Sequence, residues 1–420
     1  MSEERVVIVG AGHGGFQLAA CLRQDGFAGR ITMFGDEEGL PYQRPPLSKA
    51  YIKTGDATRL ALRPEKFFDR NEIVLRSNSR IVAIDRSAHR AMVNDGTSCQ
   101  YDHLVLATGA RNVTPPIAGL DLNGVYRLRT LGDAERLRER IGCVRHVVVV
   151  GGGFIGLEFA AVAREQGIAV TVVEGGSRTM GRAVSPAIST VFHEAHLRMG
   201  SKILVGSFVE RILDDGQGNV RGIRLASGTE LDGDTVLIAA GVVPNTELAA
   251  AAGLTVENGI VVDGNLRTSD PNISALGDCA AFPEPQTGGR LRMESIQAAT
   301  DHARTISKRL TGTIEPYTAV PWFWSDQGKL KLQIVGLVAG ADDYFTVDLS
   351  EDRLAVYCFR EDRLICVETI NSPAEHLAAR KLFASQCFPS RRDLESVSFD
   401  IHQLAIENKR RLGVLSDWGR

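Results

Sequence analysis

The sequence contains the pattern G-x-G-x-x-G twice, each time directly after a short apolar run. The two sets of glycines are Gly10, Gly12 and Gly15, and Gly151, Gly153 and Gly156. In such a pattern the first glycine allows a tight turn from strand to helix, the second lets a pyrophosphate approach the backbone, and the third lets the helix pack on the strand. The phosphate then binds free N–H groups at the helix start. Because the copies follow Val6–Val9 and Val147–Val150 and open helical patterns, they predict two dinucleotide sites.

Each copy is followed by an acidic residue that could bond the hydroxyl groups of a ribose, which usually lies about 20 residues on. After the first copy, Asp36 follows Gly10 by 26 positions, and the adjacent Glu37 is its rival for the role. After the second copy, Glu174 follows Gly151 by 23 positions. One copy alone could be an ordinary strand–turn–helix unit with a surface carboxylate. Two copies with their acids favour two different dinucleotides.

The elements around these turns predict two α/β domains. Strand and helix patterns alternate over residues 5–110 and again over 147–240. Each region closes with a buried strand, Leu104–Ala107 in the first and Val236–Ala240 in the second, and each strand leads into a glycine-containing turn or loop, the second at Gly241–Asn245. The repetition predicts a second nucleotide domain inserted into the first.

After the second region the chain returns to the first domain and then changes character. Residues 259–282 are typical of short strands and end at Gly277–Asp278, just ahead of a predicted helical stretch. From about Pro316 the pattern favours antiparallel strands plus helices, including a helix over 373–385. The predicted domains are residues 1–112 with 246–315 (first nucleotide-binding domain), 113–245 (inserted nucleotide-binding domain) and 316–420 (C-terminal domain).

Composition and charge exclude several classes of protein. Hydrophobic residues make up 44% and charged residues 24% of 420, as in ordinary globular proteins. A net charge of −3 argues against nucleic acid as the main partner. No apolar run approaches the ~20 residues of a membrane span, and the acidic start MSEERVVIVG carries no signal-peptide pattern. The seven cysteines show no C-x-x-C spacing, so we expect no metal and no iron–sulfur cluster, and we expect a cytoplasmic protein.

Six segments make the chain resemble the FAD-dependent ferredoxin reductases that serve bacterial cytochrome P450 and ring-hydroxylating dioxygenase systems. They are PYQRPPLSKAY (41–51), YDHLVLATGARN (101–112), GGGFIGLEFAA (151–161), TSDPNISALGDCA (268–280), RMESIQAATDHAR (292–304) and PWFWSDQGKLKLQIVGL (321–337). The resemblance covers nearly the whole chain. It implies an α/β fold with two Rossmann-like, glutathione-reductase-like domains plus a C-terminal α+β domain. It also implies FAD on the first glycine turn and NADH on the second, so residues 1–112 with 246–315 would be the FAD-binding domain, 113–245 the NADH-binding domain and 316–420 a C-terminal interface domain.

Segment 41–51 determines the expected subclass within that resemblance. Related disulphide reductases carry a redox cysteine pair there, and NADH oxidases and peroxidases carry a single cysteine. This chain has no cysteine between Cys21 and Cys99 and instead carries Pro45, Pro46 and Lys49. Electrons on the flavin would therefore leave directly to an external acceptor, which the resemblance implies is a [2Fe–2S] ferredoxin.

The resemblance also implies, by matching position, which residues contact the cofactors. For FAD they are Gly10, Gly12, His13, Gly14, Gly15, Asp36, Glu37, Arg44, Lys49, Val82, Ala107, Thr108, Gly109, Arg129, Gly277, Asp278, Glu294, Ser295, Ile296 and Trp324. For NADH they are Gly151, Gly153, Phe154, Ile155, Gly156, Glu174 and Gly241. Asp278 would hold the ribityl chain, although a helix-capping role is the alternative. His13 is also open to a purely structural interpretation.

Three residues are expected to be catalytic: Lys49, Glu158 and Trp324. Glu158 is expected to pair with Lys49 near flavin N5, where a cation would stabilise negative charge. The alternative is a structural ion pair between domains. Trp324 and the neighbouring Trp322 are expected beside the exposed edge of the flavin, with core packing as the alternative.

Cofactor preference and partner follow from charge. A carboxylate at Glu174 repels a 2′-phosphate and favours NADH, while Arg178 would allow weaker use of NADPH. Because ferredoxins of this kind are acidic, Arg304, Lys329 and Lys331 are candidates for a basic docking patch, or else are scattered solvated charges.

Two other functions stay open, and we expect a monomer or weak dimer. One alternative is an NADH-dependent flavoprotein that reduces a small acceptor such as a quinone, oxygen or an ascorbate radical. The other is a flavoprotein like apoptosis-inducing factor, in which NADH binding gates association.

Overall fold

The computed structural model describes residues 4–284 and 288–411, with side chains up to residue 408. In chain order the strands of the first part are β1 (Arg5–Val9), β2 (Arg30–Phe34), β3 (Ile73–Arg76), β4 (Ile81–Asp85), β5 (Arg90–Val93), β6 (Ser98–Gln100), β7 (His103–Leu106) and β8 (Ala110–Asn112). They continue with β9 (Val125–Arg127), β10 (His146–Val150), β11 (Ala169–Val173), β12 (Lys202–Leu204), β13 (Val209–Asp214), β14 (Val220–Leu225), β15 (Glu230–Asp232), β16 (Thr235–Ile238) and β17 (Val242–Pro244). The last are β18 (Val256–Glu257), β19 (Gly259–Val261), β20 (Ile273–Ala275), β21 (Ala280–Pro283), β22 (Arg290–Leu291), β23 (Trp322–Gln327), β24 (Leu330–Gly336), β25 (Asp343–Ser350), β26 (Arg353–Arg360) and β27 (Arg363–Ile370).

The α-helices connect these strands or cover the sheets. In chain order they are α1 (His13–Gln24), α2 (Ala50–Thr54), α3 (Glu65–Arg70), α4 (Leu131–Ile141), α5 (Phe154–Glu165), α6 (Pro186–Arg198), α7 (Glu247–Ala251), α8 (Ile296–Leu310), α9 (Pro373–Ala384), α10 (Arg391–Ser396) and α11 (Ile401–Arg411). Short 3₁₀ turns lie at Pro45–Ser48, Ala57–Arg59 and Gly277–Cys279.

Backbone contacts divide the described chain into two compact units. The first unit comprises residues 4–46, Asp56–Arg111 and Val242–Ala319. The second unit comprises Leu47–Gly55, Asn112–Gly241 and residues 320–411. The three-domain division predicted from the sequence is finer than this one, and it stays a prediction.

The first unit is built on a five-stranded parallel sheet in the order β20-β7-β1-β2-β3. The apolar run Val6–Val9 lies within the buried central strand β1, because a strand covered on both faces needs apolar side chains on both. Helices α1 and α8 pack together, and the N-cap residue of α8 is Ser295, whose hydroxyl accepts a hydrogen bond from the N–H of Ala298. Antiparallel strands β4-β5-β6 form a small additional sheet.

The second unit contains a second five-stranded parallel sheet, in the order β12-β11-β10-β16-β9. Its central strand β10 contains the run Val147–Val150. The unit also holds an antiparallel sheet in the order β23-β24-β27-β26-β25, on which α9 packs. The C-terminal change of pattern from about Pro316 therefore corresponds to antiparallel strands followed by helices. The mixed α/β class with parallel sheets is confirmed.

Two local predictions are wrong. The predicted loop Gly241–Asn245 contains the short strand β17. The helical stretch predicted after Gly277–Asp278 is absent, since the 3₁₀ turn there leads directly into strand β21 and α8 begins only at Ile296. Local apolar periodicity cannot distinguish short strands from a helical turn when long-range pairing decides the outcome.

Over residues 4–284 and 288–411, no helix is long and apolar enough to cross a membrane, and no cluster of histidine, cysteine or acidic side chains could hold a metal ion. All seven cysteines are free thiols.

Candidate active site

The first glycine turn joins β1 to α1 and leaves the first N–H groups of α1 without a side-chain cap. Gly10 has φ +118°, and a Cβ there would collide with the carbonyl oxygen of Ala107. A Cβ on Gly15 would collide with the carbonyl oxygen of Gly10, so only glycine lets α1 pack this closely on the turn. A Cβ on Gly12 would meet no atom within 4 Å. Uncapped N–H groups beside open space fit a pyrophosphate.

The second glycine turn repeats this geometry between β10 and α5. Gly151 has φ +114°, and a Cβ there would collide with the carbonyl oxygen of Ala239. Gly156 packs on Gly151 as Gly15 packs on the first turn, and Gly153 again adjoins open space. Helix α5 also begins without a side-chain cap. The second unit therefore contains a second dinucleotide-type turn.

The two candidate acids after the first turn are in different situations. Glu37 accepts hydrogen bonds from the hydroxyl of Tyr42 (2.6 Å) and from the guanidinium of Arg44 (2.6 Å). Asp36 is exposed, and its carboxylate has no hydrogen-bond partner among the described residues. The carboxylate of Asp36 is thus the freer of the two.

The carboxylate of Glu174 is fixed at the second turn. Its two oxygens accept hydrogen bonds from the N–H groups of Gly152 and Gly176, each at 2.6 Å. The carbonyl oxygen of Gly152 in turn accepts from the N–H of Met180 at 2.9 Å. The loop after β11 is therefore hydrogen-bonded to both backbone polar groups of Gly152 in the glycine turn.

A partly buried ion pair joins Lys49 to Glu158 within the second unit. Lys49 Nζ lies 2.9 Å from Glu158 Oε1, and Glu158 is only 4% exposed. The same carboxylate accepts hydrogen bonds from the hydroxyls of Ser48 (2.7 Å) and Ser325 (2.8 Å). A buried carboxylate with three donors, one of them charged, is fully compensated.

The two predicted tryptophans lie next to each other on β23, with ring centroids 5.5 Å apart. The guanidinium carbon of Arg380 lies 4.4 Å from the centroid of the Trp322 ring, and His376 meets that ring edge-on at 5.5 Å. Burial lowers the pKa of His376 to about 4, so its ring is neutral at pH 7. Trp322 is thus held in a packed cluster, and Trp324 is its half-buried neighbour.

Comparison with known proteins identifies the family from both parts of the chain. Residues 4–303 match the family described as pyridine nucleotide-disulphide oxidoreductase, and residues 322–405 match the family described as reductase C-terminal. The chain belongs to the pyridine nucleotide-disulphide oxidoreductases. It is an oxidoreductase, and the proteins of this family depend on FAD.

Three members of this oxidoreductase family show how close the likeness is. Rhodocoxin reductase from Rhodococcus erythropolis is 47% identical over 96% of this chain and 94% of its own length. The crystal structure of the ferredoxin reductase for the CYP199A2 system from Rhodopseudomonas palustris matches with a TM-score of 0.93 and 47% identity, over 96% of this chain and 100% of that one. Putidaredoxin reductase, in its covalent complex with putidaredoxin, matches with a TM-score of 0.92 and 35% identity, over 98% and 100%.

The remaining FAD residues expected in this oxidoreductase are distributed over both units. In the first unit, Thr108 donates from its hydroxyl to the carbonyl oxygen of Asn245 (2.7 Å), and Asn245 returns a bond to the carbonyl oxygen of Thr108 (2.8 Å). His13 bonds Thr300 on α8 through its ring at 3.1 Å, and burial lowers its pKa, which agrees with the structural interpretation. Asp278 lies in the 3₁₀ turn Gly277–Cys279. The first unit also contains Arg44, Val82, Ala107, Gly109, Glu294, Ser295 and Ile296.

The other predicted residues belong to the second unit. They are Lys49, Arg129, Glu158 and Trp324, with the NADH residues from Gly151 to Gly241. Phe154, at the start of α5, packs on Phe323 of β23 with ring centroids 4.5 Å apart, and Ile155 beside it is 44% exposed. Their roles toward the cofactors stay predictions.

The three candidate docking cations differ in their surroundings. Arg304 pairs with Asp301 at 3.0 Å, which offsets its charge. Lys329 and Lys331 are exposed, and neither forms an ion pair with a described residue. Of the three, the two lysines keep their charge free for a partner.

Sequence reasoning missed a series of buried hydrogen bonds that runs from Ser325, a partner of Glu158, to His196. The hydroxyl of Ser325 accepts from the amide of Gln327 (3.2 Å), and Gln327 bonds the ring of His196 (2.9 Å). Burial lowers the pKa of His196, so its ring stays neutral. The alternation of Ser325 and Gln327 along a strand places them on one face, and that period-two pattern was the available signal.

Proposed function

We propose that the protein is an NADH-dependent ferredoxin reductase that passes single electrons to a [2Fe–2S] ferredoxin supplying a cytochrome P450 or a ring-hydroxylating dioxygenase. One observation carries this proposal: segment 41–51 has no thiol, although the chain belongs to a disulphide oxidoreductase family. Lys49 in this segment instead forms an ion pair with Glu158. No thiol in that segment can therefore accept electrons from the reduced flavin, and an external carrier must accept them.

The first glycine turn supports FAD as the resident cofactor. FAD, when bound, accepts a hydride and releases electrons singly. The uncapped start of α1 would hold its pyrophosphate. Because Glu37 is already bonded to Tyr42 and Arg44, we assign the adenosine ribose to Asp36.

The second glycine turn supports NADH rather than NADPH. Two backbone N–H groups hold the Glu174 carboxylate in place, and each of its oxygens retains a lone pair for a ribose hydroxyl. Arg178 donates to the carbonyl oxygens of Gly181 (2.8 Å) and Val184 (2.8 Å), so its guanidinium is engaged within its own loop. This argues for weak use of NADPH at most.

Lys49 and Trp324 would act where the flavin reacts. The ammonium of Lys49 is held by Glu158, and such a fixed cation would stabilise negative charge with no reorganisation. Trp324 would cover the ring edge that faces the acceptor. The seven free thiols support a reducing cytoplasm as the place of action, and we propose a monomer or weak dimer.

The test is an anaerobic titration of the FAD-loaded protein with NADH, followed by flavin absorbance, with thiols counted after denaturation. We expect reduction to be complete at two electrons per FAD, with seven reactive thiols before and after. Uptake of four electrons, or a rise in the thiol count on reduction, would show an internal disulphide and contradict the proposal.

A further inference from the structure

We propose that Phe208 is a stacking platform for the adenine ring of NADH. The inference deepens the proposed function, because it rests on NADH binding at the second glycine turn. It adds a residue that neither the glycine pattern nor the resemblance identifies.

Phe208 exposes 65% of its surface, more than any other large apolar side chain among the described residues. A single exposed apolar side chain needs no explanation by itself. An aromatic ring, however, offers a large flat face on which another ring can stack. Whether Phe208 is a ligand contact therefore depends on which residues surround it.

Backbone hydrogen bonds hold the segment before Phe208 alongside the cofactor-selecting loop. The N–H of Gly206 donates to the carbonyl oxygen of Gly176 at 2.8 Å. The N–H of Ser207 donates to the carbonyl oxygen of Glu174 at 3.0 Å. Phe208, the next residue, is thus positioned beside the acid proposed to bind the ribose.

The ring of Phe208 lies against the backbone of Gly175, directly after Glu174. A Cβ on Gly175 would lie 2.7 Å from Cε1 of the ring, closer than real Cβ atoms approach, and 3.1 Å from Cδ1. Any side chain at position 175 would therefore displace the ring. Gly175 thus leaves the space that the Phe208 ring occupies.

This arrangement matches the chemistry of an adenosine group. Ribose hydroxyls need an acceptor, which the fixed Glu174 carboxylate supplies. The adenine base is attached to that same ribose, so a flat apolar face next to the acceptor could stack on it. Phe208 is the aromatic side chain that the hydrogen bonds of Gly206 and Ser207 hold beside the acceptor. In open α/β sheets, ligands bind at the carboxyl ends of the strands, where β11 and β12 place both residues.

The test compares ligands with and without adenine on the FAD-loaded variant Phe208→Ala. Calorimetry with ADP-ribose, which carries adenine but no nicotinamide, should show a dissociation constant at least about fivefold higher, because stacking on one aromatic ring contributes roughly 5- to 150-fold in affinity. The KM for NADH should rise by a similar factor with little change in kcat. With reduced nicotinamide mononucleotide, which has no adenine, kcat/KM should stay the same.

Two further variants separate stacking from folding. Phe208→Tyr keeps the ring and should restore ADP-ribose binding. Val205→Ala removes an exposed apolar side chain from the same segment and should leave binding unchanged.

Three results would overturn the inference. They are unchanged ADP-ribose affinity in Phe208→Ala, equal losses with NADH and with reduced nicotinamide mononucleotide, or a loss confined to the KM for ferredoxin, which would make Phe208 a partner contact. If Phe208→Ala weakens ADP-ribose binding but the protein reduces no ferredoxin, this inference holds and the proposed function fails.

Discussion

A buried carboxylate is stable only with enough donors, and Glu158 has three. Ser48 and Ser325 supply neutral hydroxyls, while Lys49 supplies the charge that balances it. Coulomb attraction in a poorly solvated site makes this pair far more costly to break than an exposed one. The same contact thus links folding stability to the proposed chemistry.

Lys49→Met should affect stability and flavin reduction together. The variant leaves the Glu158 charge buried with only two hydroxyl donors, so we expect a destabilisation of about 3 kcal/mol or more. Loss of the fixed cation should slow flavin reduction by NADH about tenfold or more. Thermal melting and stopped-flow absorbance measure the two effects.

Lys53→Met is the matched control. Lys53 forms an ion pair with Glu165, in which both side chains are more than 40% exposed. Its removal should cost less than about 1 kcal/mol and leave the reduction rate unchanged. Equal effects of the two variants would refute the special role of Lys49.

Among the elements, the start of helix α6 is held by a strand that is distant in the sequence. Glu368 on β27 is fully buried, and its oxygens accept the N–H of Ser185, the N-cap residue of α6, at 2.9 and 3.1 Å. Burial raises the pKa of Glu368 to about 7, although the bonds from Ser185 and the charge of Arg178 act in the opposite direction. The Cys358 thiol also faces this carboxylate at 3.9 Å.

Glu368→Gln should change how stability depends on pH. Because the pKa of Glu368 is raised in the folded state, its stabilising contribution is complete below about pH 4.5 and is lost as the pH rises to about 7. The loss amounts to about 3 kcal/mol, since one pKa unit corresponds to about 1.4 kcal/mol. The variant should melt with the wild type at pH 4 and at higher temperature at pH 8. Parallel melting curves across that range would contradict this assignment.

The same elements show how far sequence reasoning reaches. The central strands β1 and β10 were predicted within one residue, because buried parallel strands form continuous apolar runs. The start of helix α4 also has a local signal, because its N-cap residue Thr130 forms a capping box with Asp133. Strand β17 and the Ser325–Gln327–His196 chain were missed, because their partners are distant in sequence. Glu368 and Phe208 were missed for the same reason.

For the whole molecule, the surface on which the electron acceptor docks is the main point to test. Lys329 and Lys331 are exposed cations on the antiparallel sheet region of the second unit. If an acidic ferredoxin docks there, its KM should rise with ionic strength, since the screening length falls to about 10 Å at 0.1 M salt.

Steady-state ferredoxin reduction at 0.05 to 0.5 M salt tests this docking. Lys329→Gln and Lys331→Gln should raise the KM for ferredoxin at low salt and flatten its salt dependence, while the KM for NADH stays constant. Lys202→Gln, a change at another exposed lysine, is the control. A KM for ferredoxin that does not respond to salt would exclude electrostatic docking.

The most direct test of the proposed function is ferredoxin-dependent reduction of cytochrome c by NADH. The FAD-loaded protein is mixed with NADH, oxidised cytochrome c and increasing amounts of a [2Fe–2S] ferredoxin. We predict slow reduction without ferredoxin and a steep, saturable rise with it. If NADH reduces the flavin but ferredoxin adds nothing to the rate, the acceptor is a different molecule and the proposed function is contradicted.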